Sequence, residues 1–171
     1  MTHPVSQDIH LAGQWSGATD TVKLTYDARF LRRRVLTTVK GAPFLVDLAH
    51  TTSLNHGDAF ELEGGALIKV VAAEEELLEI TGSDLVRLAW HVGNRHTPCQ
   101  IEPSRLLIQR DHVIRKMLHQ LGATVRDVVE PFLPEGGAYG HGRTHGHDHS
   151  ASHSHDHSHD HDPSHGHDHA H

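Results

Sequence analysis

The stretch Ser83-Asp84-Leu85-Val86-Arg87-Leu88-Ala89-Trp90-His91-Val92-Gly93-Asn94 reads as a complete helix with both ends marked. Ser83 or Asp84 can cap its start, and Leu85, Leu88, Ala89 and Val92 recur at i, i+3, i+4 and i+7, one apolar face. Gly93-Asn94 is a stop signal. Upstream, Glu76–Ile80 predicts a strand. Downstream, Pro98–Glu102 and Arg105–Gln109 predict two strands joined at Pro103-Ser104. Asp111 then caps a second helix carrying Val113, Ile114, Met117, Leu118 and Leu121, stopped by Gly122, and Val125–Phe132 gives a last strand. The order is β-α-β-β-α-β, the ferredoxin-like pattern of two helices on one face of a four-stranded antiparallel sheet. Its other face requires a cover, from another domain or a second subunit.

Before this unit the rhythm is that of strands. Val22–Tyr26 alternates, and Val35–Val39 and Pro43–Leu48 are β-branched or apolar. Phe60–Leu62 and Ala66–Val71 follow, set apart by the turn residues 55–58 and Gly64-Gly65. Short strands between Gly, Asn and Asp predict a small all-β sandwich or barrel. Arg32-Arg33-Arg34 reads as a solvated strand, because its surroundings are not basic. The expected fold class is α+β, in three parts: an all-β domain over 1–74, a ferredoxin-like domain over 75–135, and a tail over 136–171.

Thirteen of the 21 histidines lie in that tail. They are His141, His145, His147, His149, His153, His155, His157, His159, His161, His165, His167, His169 and His171. Gly, Ser and Asp separate them, so the tail cannot build a core and is expected to be disordered without metal. Neutral imidazole is the commonest protein ligand for divalent transition metals. A purification tag is normally an unbroken His run, and a merely solubilising tail has no need of imidazole. The tail therefore points to metal capture, with Cu(II), Ni(II) and Zn(II) all within the chemistry of the donors.

Composition narrows the alternatives. The tail holds five aspartates against Arg143, which accounts for −4 of the chain's formal −7, so nothing in the balance suggests nucleic acid. Cys99 is the single cysteine, which excludes an intrachain disulfide and a Cys-based zinc cage. No secretory leader and no apolar run long enough for a membrane span is present, and the expected location is the cytoplasm. There is no phosphate loop, His-Glu-x-x-His or Gly-x-Ser-x-Gly, and Glu74, Glu75, Glu76 and Glu79 read as a solvated edge. The chain is expected not to be an enzyme.

In the folded part the informative segment is His91-Val92-Gly93-Asn94-Arg95-His96. His91 falls in the last helical turn, where its charge suits the helix dipole. His96 falls just beyond, on a sharp turn permitted by Gly93 and Asn94. One imidazole is too few for a divalent ion, but a twofold axis beside His96 would double the count. The plainer reading of His96 is a surface-loop histidine. His112 falls in the first turn of the second helix, where neutral imidazole is easier to hold than imidazolium. Cys99 reads as a buried small apolar residue.

The run 91–96, with Pro98, Gln100-Ile101, Arg105-Leu106, Asp111-His112-Val113, Met117-Leu118, Leu121-Gly122, Pro131-Phe132 and Pro134-Glu135-Gly136-Gly137-Ala138-Tyr139, resembles the UreE family of urease accessory metallochaperones across essentially the whole chain. The resemblance implies a homodimer that binds Ni(II) and passes it to the urease apoprotein complex and its UreG-type GTPase. It implies that the first domain is of the family's peptide-binding kind. It implies that His96 is the interfacial metal ligand, one from each subunit. Further ligands of some members match His91, His112 and position 110, but position 110 here is Arg, so a site using it is lost or rebuilt. The competing functions are a nickel or zinc store, which would make the folded part incidental, a metal-dependent hydrolase, and a His-tailed prolyl isomerase.

Overall fold

A computed structural model describes residues 2–138. All thirteen tail histidines lie outside the described residues. The described chain is mixed α+β, with two sheets and two helices.

The first sheet has six strands: β1 (Val5–His10), β2 (Asp20–Leu24), β3 (Phe30–Thr37), β4 (Pro43–Ser53), β5 (Ala59–Leu62) and β6 (Leu67–Ala72). Their order is β2-β6-β5-β1-β4-β3. β1 runs parallel to β4 and β2 parallel to β6, while the remaining pairs are antiparallel. Alternate residues turn inward, as in Phe44, Val46 and Leu48 of β4 and Ile68 and Val70 of β6, and they fill one apolar core. Phe44 and Phe60 meet edge to face with centroids 5.5 Å apart.

Two strands depart from the sequence expectation. β1 was not expected, because its most buried residue is Ser6 and its apolar residues, Val5 and Ile9, are only half-buried. β3 begins at Phe30, not Val35, and runs straight through Arg32-Arg33-Arg34. It is an edge strand with a register shift at Arg32, and its arginines keep their heads exposed, a common protection of a sheet edge.

The second sheet follows the expected order of elements. It contains β7 (Glu74–Thr81), α1 (Leu85–Gly93), β8 (Gln100–Ile101), β9 (Leu106–Gln109), α2 (His112–Gln120) and β10 (Thr124–Pro131). The strands lie in the order β10-β7-β9-β8, with every neighbouring pair antiparallel. Asp84, not Ser83, caps α1 by accepting the Arg87 N–H at 3.0 Å. Asp111 caps α2 by accepting the Val113 and Ile114 N–H groups at 2.8 and 2.9 Å. Gly122 closes α2 in the left-handed region at φ 81°, a conformation that Cβ would strain. Leu88, Val92, Ile114 and Leu118 of the helices pack on Leu78, Ile80, Leu106 and Ile108 of the sheet.

The sheet's other face is covered in part by the first unit. Tyr26 joins Leu77, Leu107 and Phe132 in a small apolar cluster. Arg29, only 3% exposed, crosses the junction. Its Nη1 donates to the Leu24 carbonyl at 3.0 Å and its Nη2 to the Phe132 carbonyl at 2.7 Å.

The rest of that face is ionic, which corrects the reading of the β7 glutamates. β7 is a central strand, not an edge. Glu79, 9% exposed, is held by Arg105 at 2.9 Å and by Arg126 at 2.7 Å. Arg105 also grips Glu102 at 2.7 Å and Glu130 at 2.8 Å. Arg105 first, and then Arg126, hold the Glu79 carboxyl below the usual range, and these carboxylates keep Arg105 firmly charged. Glu75 accepts the Tyr26 N–H at 2.8 Å, so it too is committed to structure. Of the four glutamates, exposed Glu74 keeps the solvated reading, and Glu76 comes close to it, with a largely exposed side chain and one arginine partner, Arg110.

Candidate metal centre

The site starts from how α1 ends. Gly93 is the last residue of the helix itself and Asn94 stays in the right-handed region at φ −65°. The Asn94 N–H bonds back to Trp90 O at 2.9 Å, Arg95 N–H to Val92 O at 3.1 Å and His96 N–H to Gly93 O at 2.9 Å. The sharp turn expected at Gly93-Asn94 therefore falls two residues later, on His96. His96 has φ 56° and is the single non-glycine residue with positive φ among the described residues. That conformation costs an L-residue on the order of 1 kcal/mol, with His among the side chains that tolerate it best. Next to His96, Arg95 lies against α2, with Nε 3.4 Å from the Met117 sulfur. The result is an exposed imidazole carried on a tightly tied turn.

His91 lies in the last turn of α1, as expected, half-buried, with its ring edge-on to Trp90 at 4.9 Å between centroids. His112 is exposed at the first position of α2. Arg110 is turned toward the sheet, where it pairs with Glu76 at 3.1 Å and lies 3.8 Å from Asp127, while Arg115 also pairs with Asp127. Position 110 is thus occupied by a structural cation. Cys99 is half-buried against the helix-side core, and burial, reinforced by the nearby Glu135 carboxylate, pushes its thiol up to about 11. At neutral pH it is protonated and behaves as a small apolar group. Among the described residues no three His, Cys, Asp or Glu side chains gather into a ligand group.

Two features were not singled out from the sequence. On α1, Val86 and Trp90 are 83% and 63% exposed, one turn apart on the face opposite the core. Val113 of α2 is also largely exposed. The i, i+4 spacing of Val86 and Trp90 was legible as a second apolar stripe, hidden by the stronger one at Leu85, Leu88, Ala89 and Val92. The second feature is the path of the chain after β10, which returns to the segment leaving His96.

Comparison with known proteins decides the family. Residues 1–73 match the model of the UreE urease accessory protein N-terminal domain, and residues 75–171 match that of the C-terminal domain. The chain belongs to the UreE family of urease accessory proteins. A urease accessory protein UreE of Ruegeria pomeroyi is 70% identical over 145 residues, covering 85% of this chain and 97% of that one. One from a second Ruegeria strain is 71% identical over 126 residues, covering 74% and 72%. One from Cereibacter sphaeroides is 58% identical over 142 residues, covering 82% and 78%. Membership places the chain in urease maturation as an accessory protein and not an enzyme. Among the described residues no helix is long and apolar enough to cross a membrane.

Proposed function

We propose that the chain is a cytoplasmic nickel metallochaperone that delivers Ni(II) to apo-urease during assembly of the urease metallocentre. The observation that carries this reading is His96. A backbone conformation that disfavours most side chains is retained at the one position where it projects an imidazole from a helix end. The ligand shell is completed across a twofold axis, with His96 of two subunits on one ion, and Val86 and Trp90 on the same helix give the second copy an apolar surface to cover. A site of two imidazoles leaves coordination positions open. The recipient's ligands can enter before the donor's leave, which suits transfer better than a closed cage does.

In this reading the second unit, over 75–135, is ferredoxin-like. The interleaved strand order, with both helices on one face, supports that reading. The first unit, over 1–74, is a peptide-binding-type domain, and residues 136–171 are a metal-collecting tail. His91 and His112 act as auxiliary ligands when nickel is abundant. The partners are a second copy, the urease apoprotein complex and its UreG-type GTPase, and Zn(II) or Cu(II) can occupy the same imidazoles in vitro. A store of nickel or zinc is the second reading, favoured by the thirteen tail histidines.

One experiment separates the two. Urease activation at limiting nickel is compared for the full chain, His96→Ala and a chain ending at Gly140. A chaperone loses activation with His96→Ala while most bound nickel survives, and keeps part of it without the tail. If His96→Ala activates urease as well as the parent does, His96 does not carry transfer.

A further inference from the structure

A pocket of about 280 Å³ opens at the junction of the two units. Tyr26, Arg29, Asn55 and His56 line it from the first unit, and Leu133 and Pro134, just after β10, line it from the second. Hydrogen bonds fix the first-unit wall. The Leu54 N–H donates to the Arg29 carbonyl at 2.9 Å. Asp58, 2% exposed, accepts the Asn55 N–H at 2.7 Å and the Ala12 N–H at 2.9 Å. His56 Nδ1 accepts the Ala72 N–H at 3.1 Å, so the neutral ring carries its proton on Nε2, and that nitrogen is a donor. Arg29 adds a permanent positive charge, 3% exposed, whose field is weakly screened there. Among the described residues that line the pocket there is no Asp or Glu. The carboxylates behind the wall have other donors: Asp58 holds its two N–H groups, Glu75 accepts the Tyr26 N–H at 2.8 Å, and Gln109 Nε2 lies 3.1 Å from Glu75 and 3.2 Å from Asp27.

We propose that this pocket binds a small monocarboxylate, with its carboxylate held by Asn55 and His56 in the field of Arg29 and its hydrocarbon part against Leu133 and Pro134. Volume sets the size of the ligand. At about 30 Å³ for each water displaced, the pocket takes roughly nine non-hydrogen atoms at most, the small end of ligand sites. The donors set its charge. The Asn55 amide and His56 Nε2–H offer one N–H to each carboxylate oxygen, and such bonds are about twice as strong to an ionised acceptor as to a neutral one. The apolar wall sets the rest. An inorganic anion has nothing to place on Leu133 and Pro134 and would lose its water against them. Because the lining comes from both units, the bound acid adds a contact across the junction that Arg29 closes. The pocket shares no residue with the turn that carries His96, so the proposal stands apart from the reading of the metal centre.

The test titrates butyrate, butyramide and inorganic phosphate into the full-length, metal-free protein at about pH 8, where ordinary imidazoles are neutral. NMR shifts of the Leu133 amide and the Arg29 Nε–H are followed. Butyrate should saturate one site per chain with a Kd on the order of a millimolar. Butyramide, its neutral isostere, should bind at least about tenfold more weakly, and Asn55→Ala should weaken butyrate by about as much. Phosphate should not displace butyrate. Arg29 is left in place because it closes the junction, and the charge is probed at Leu133, which is exposed and held by its backbone N–H. Leu133→Asp and Leu133→Lys lose the same apolar contact, so their difference reports the sign of the site. Leu133→Lys should bind butyrate at least about tenfold more tightly than Leu133→Asp. Equal affinities in that pair overturn the proposal. So does butyramide matching butyrate, phosphate displacing it, or the absence of a shift at Leu133 and Arg29 up to about 50 mM butyrate.

Discussion

Replacing His96 with Gly and with Ala separates what its backbone costs from what its imidazole does. At φ 56° the Cβ of any L-residue is strained, and glycine is not. Ala at this position keeps the strain and loses the imidazole; Gly loses both. Relief of strain favours Gly by about 1–2 kcal/mol, and the larger entropy of glycine in the unfolded chain returns about 0.5–1 kcal/mol. His96→Gly is therefore more stable than His96→Ala by about 0.5–1 kcal/mol. For a folded part of this size that is a Tm difference of roughly 2–5 °C. Thermal and urea unfolding of the two metal-free variants measure it, and nickel titration shows both without the tightest site. If His96→Ala proves as stable as His96→Gly, the turn does not demand a left-handed residue. The case for strain retained in the service of metal binding then fails.

Three further outcomes follow from the packing. Glu79→Gln breaks the Glu79–Arg105–Arg126 cluster and costs about 2 kcal/mol at pH 7. Because Arg105 and then Arg126 hold the folded carboxyl below the usual carboxylate range, the stabilisation is complete above the unfolded carboxyl's range and is lost as pH falls through the folded value. The gap between parent and Glu79→Gln in urea midpoints should hold from pH 6 to 8 and close in acid; a gap constant down to pH 3 contradicts the ion-pair account. Asp111→Ala removes an acceptor for two helix N–H groups and costs about 1 kcal/mol, much of which Asp111→Asn should recover. Trp90→Glu places a charge on the exposed stripe of α1 and should shift the protein toward monomer in sedimentation, with the nickel site weakened in parallel. A dimer unaffected by this change would move the twofold elsewhere.

The helical unit was legible because its signals are local. Each cap, Asp84 or Asp111, lies within a dozen residues of the whole i, i+3, i+4, i+7 face of the helix it starts. The first sheet was less so. β1 buries a serine and shows no apolar alternation, and its place between β5 and β4 is set by partners about forty or more residues away. Glu79 looked solvated because its arginines come from β10 and from the turn before β9, 47 and 26 residues distant. His96 was legible as a residue but not as a conformation: glycine and asparagine nearby drew the turn to themselves, and the hydrogen bonds closing the helix end moved it on. The return of residues 132–135 alongside 99–100 was invisible in sequence, since Leu133 and Glu135 are held through backbone N–H groups that any non-proline residue supplies.

Arg29 gives the molecule its mechanical character. A guanidinium sealed from water and shared between the Leu24 carbonyl of β2 and the Phe132 carbonyl just after β10 acts as a rivet. Swinging one unit off the other would break the Arg29–Phe132 bond and leave part of a buried charge and one carbonyl oxygen without a counterpart in an apolar seam. The first unit is therefore a handle welded to the half that carries His96. Any load applied to that handle passes into the second sheet with little lost to hinge play.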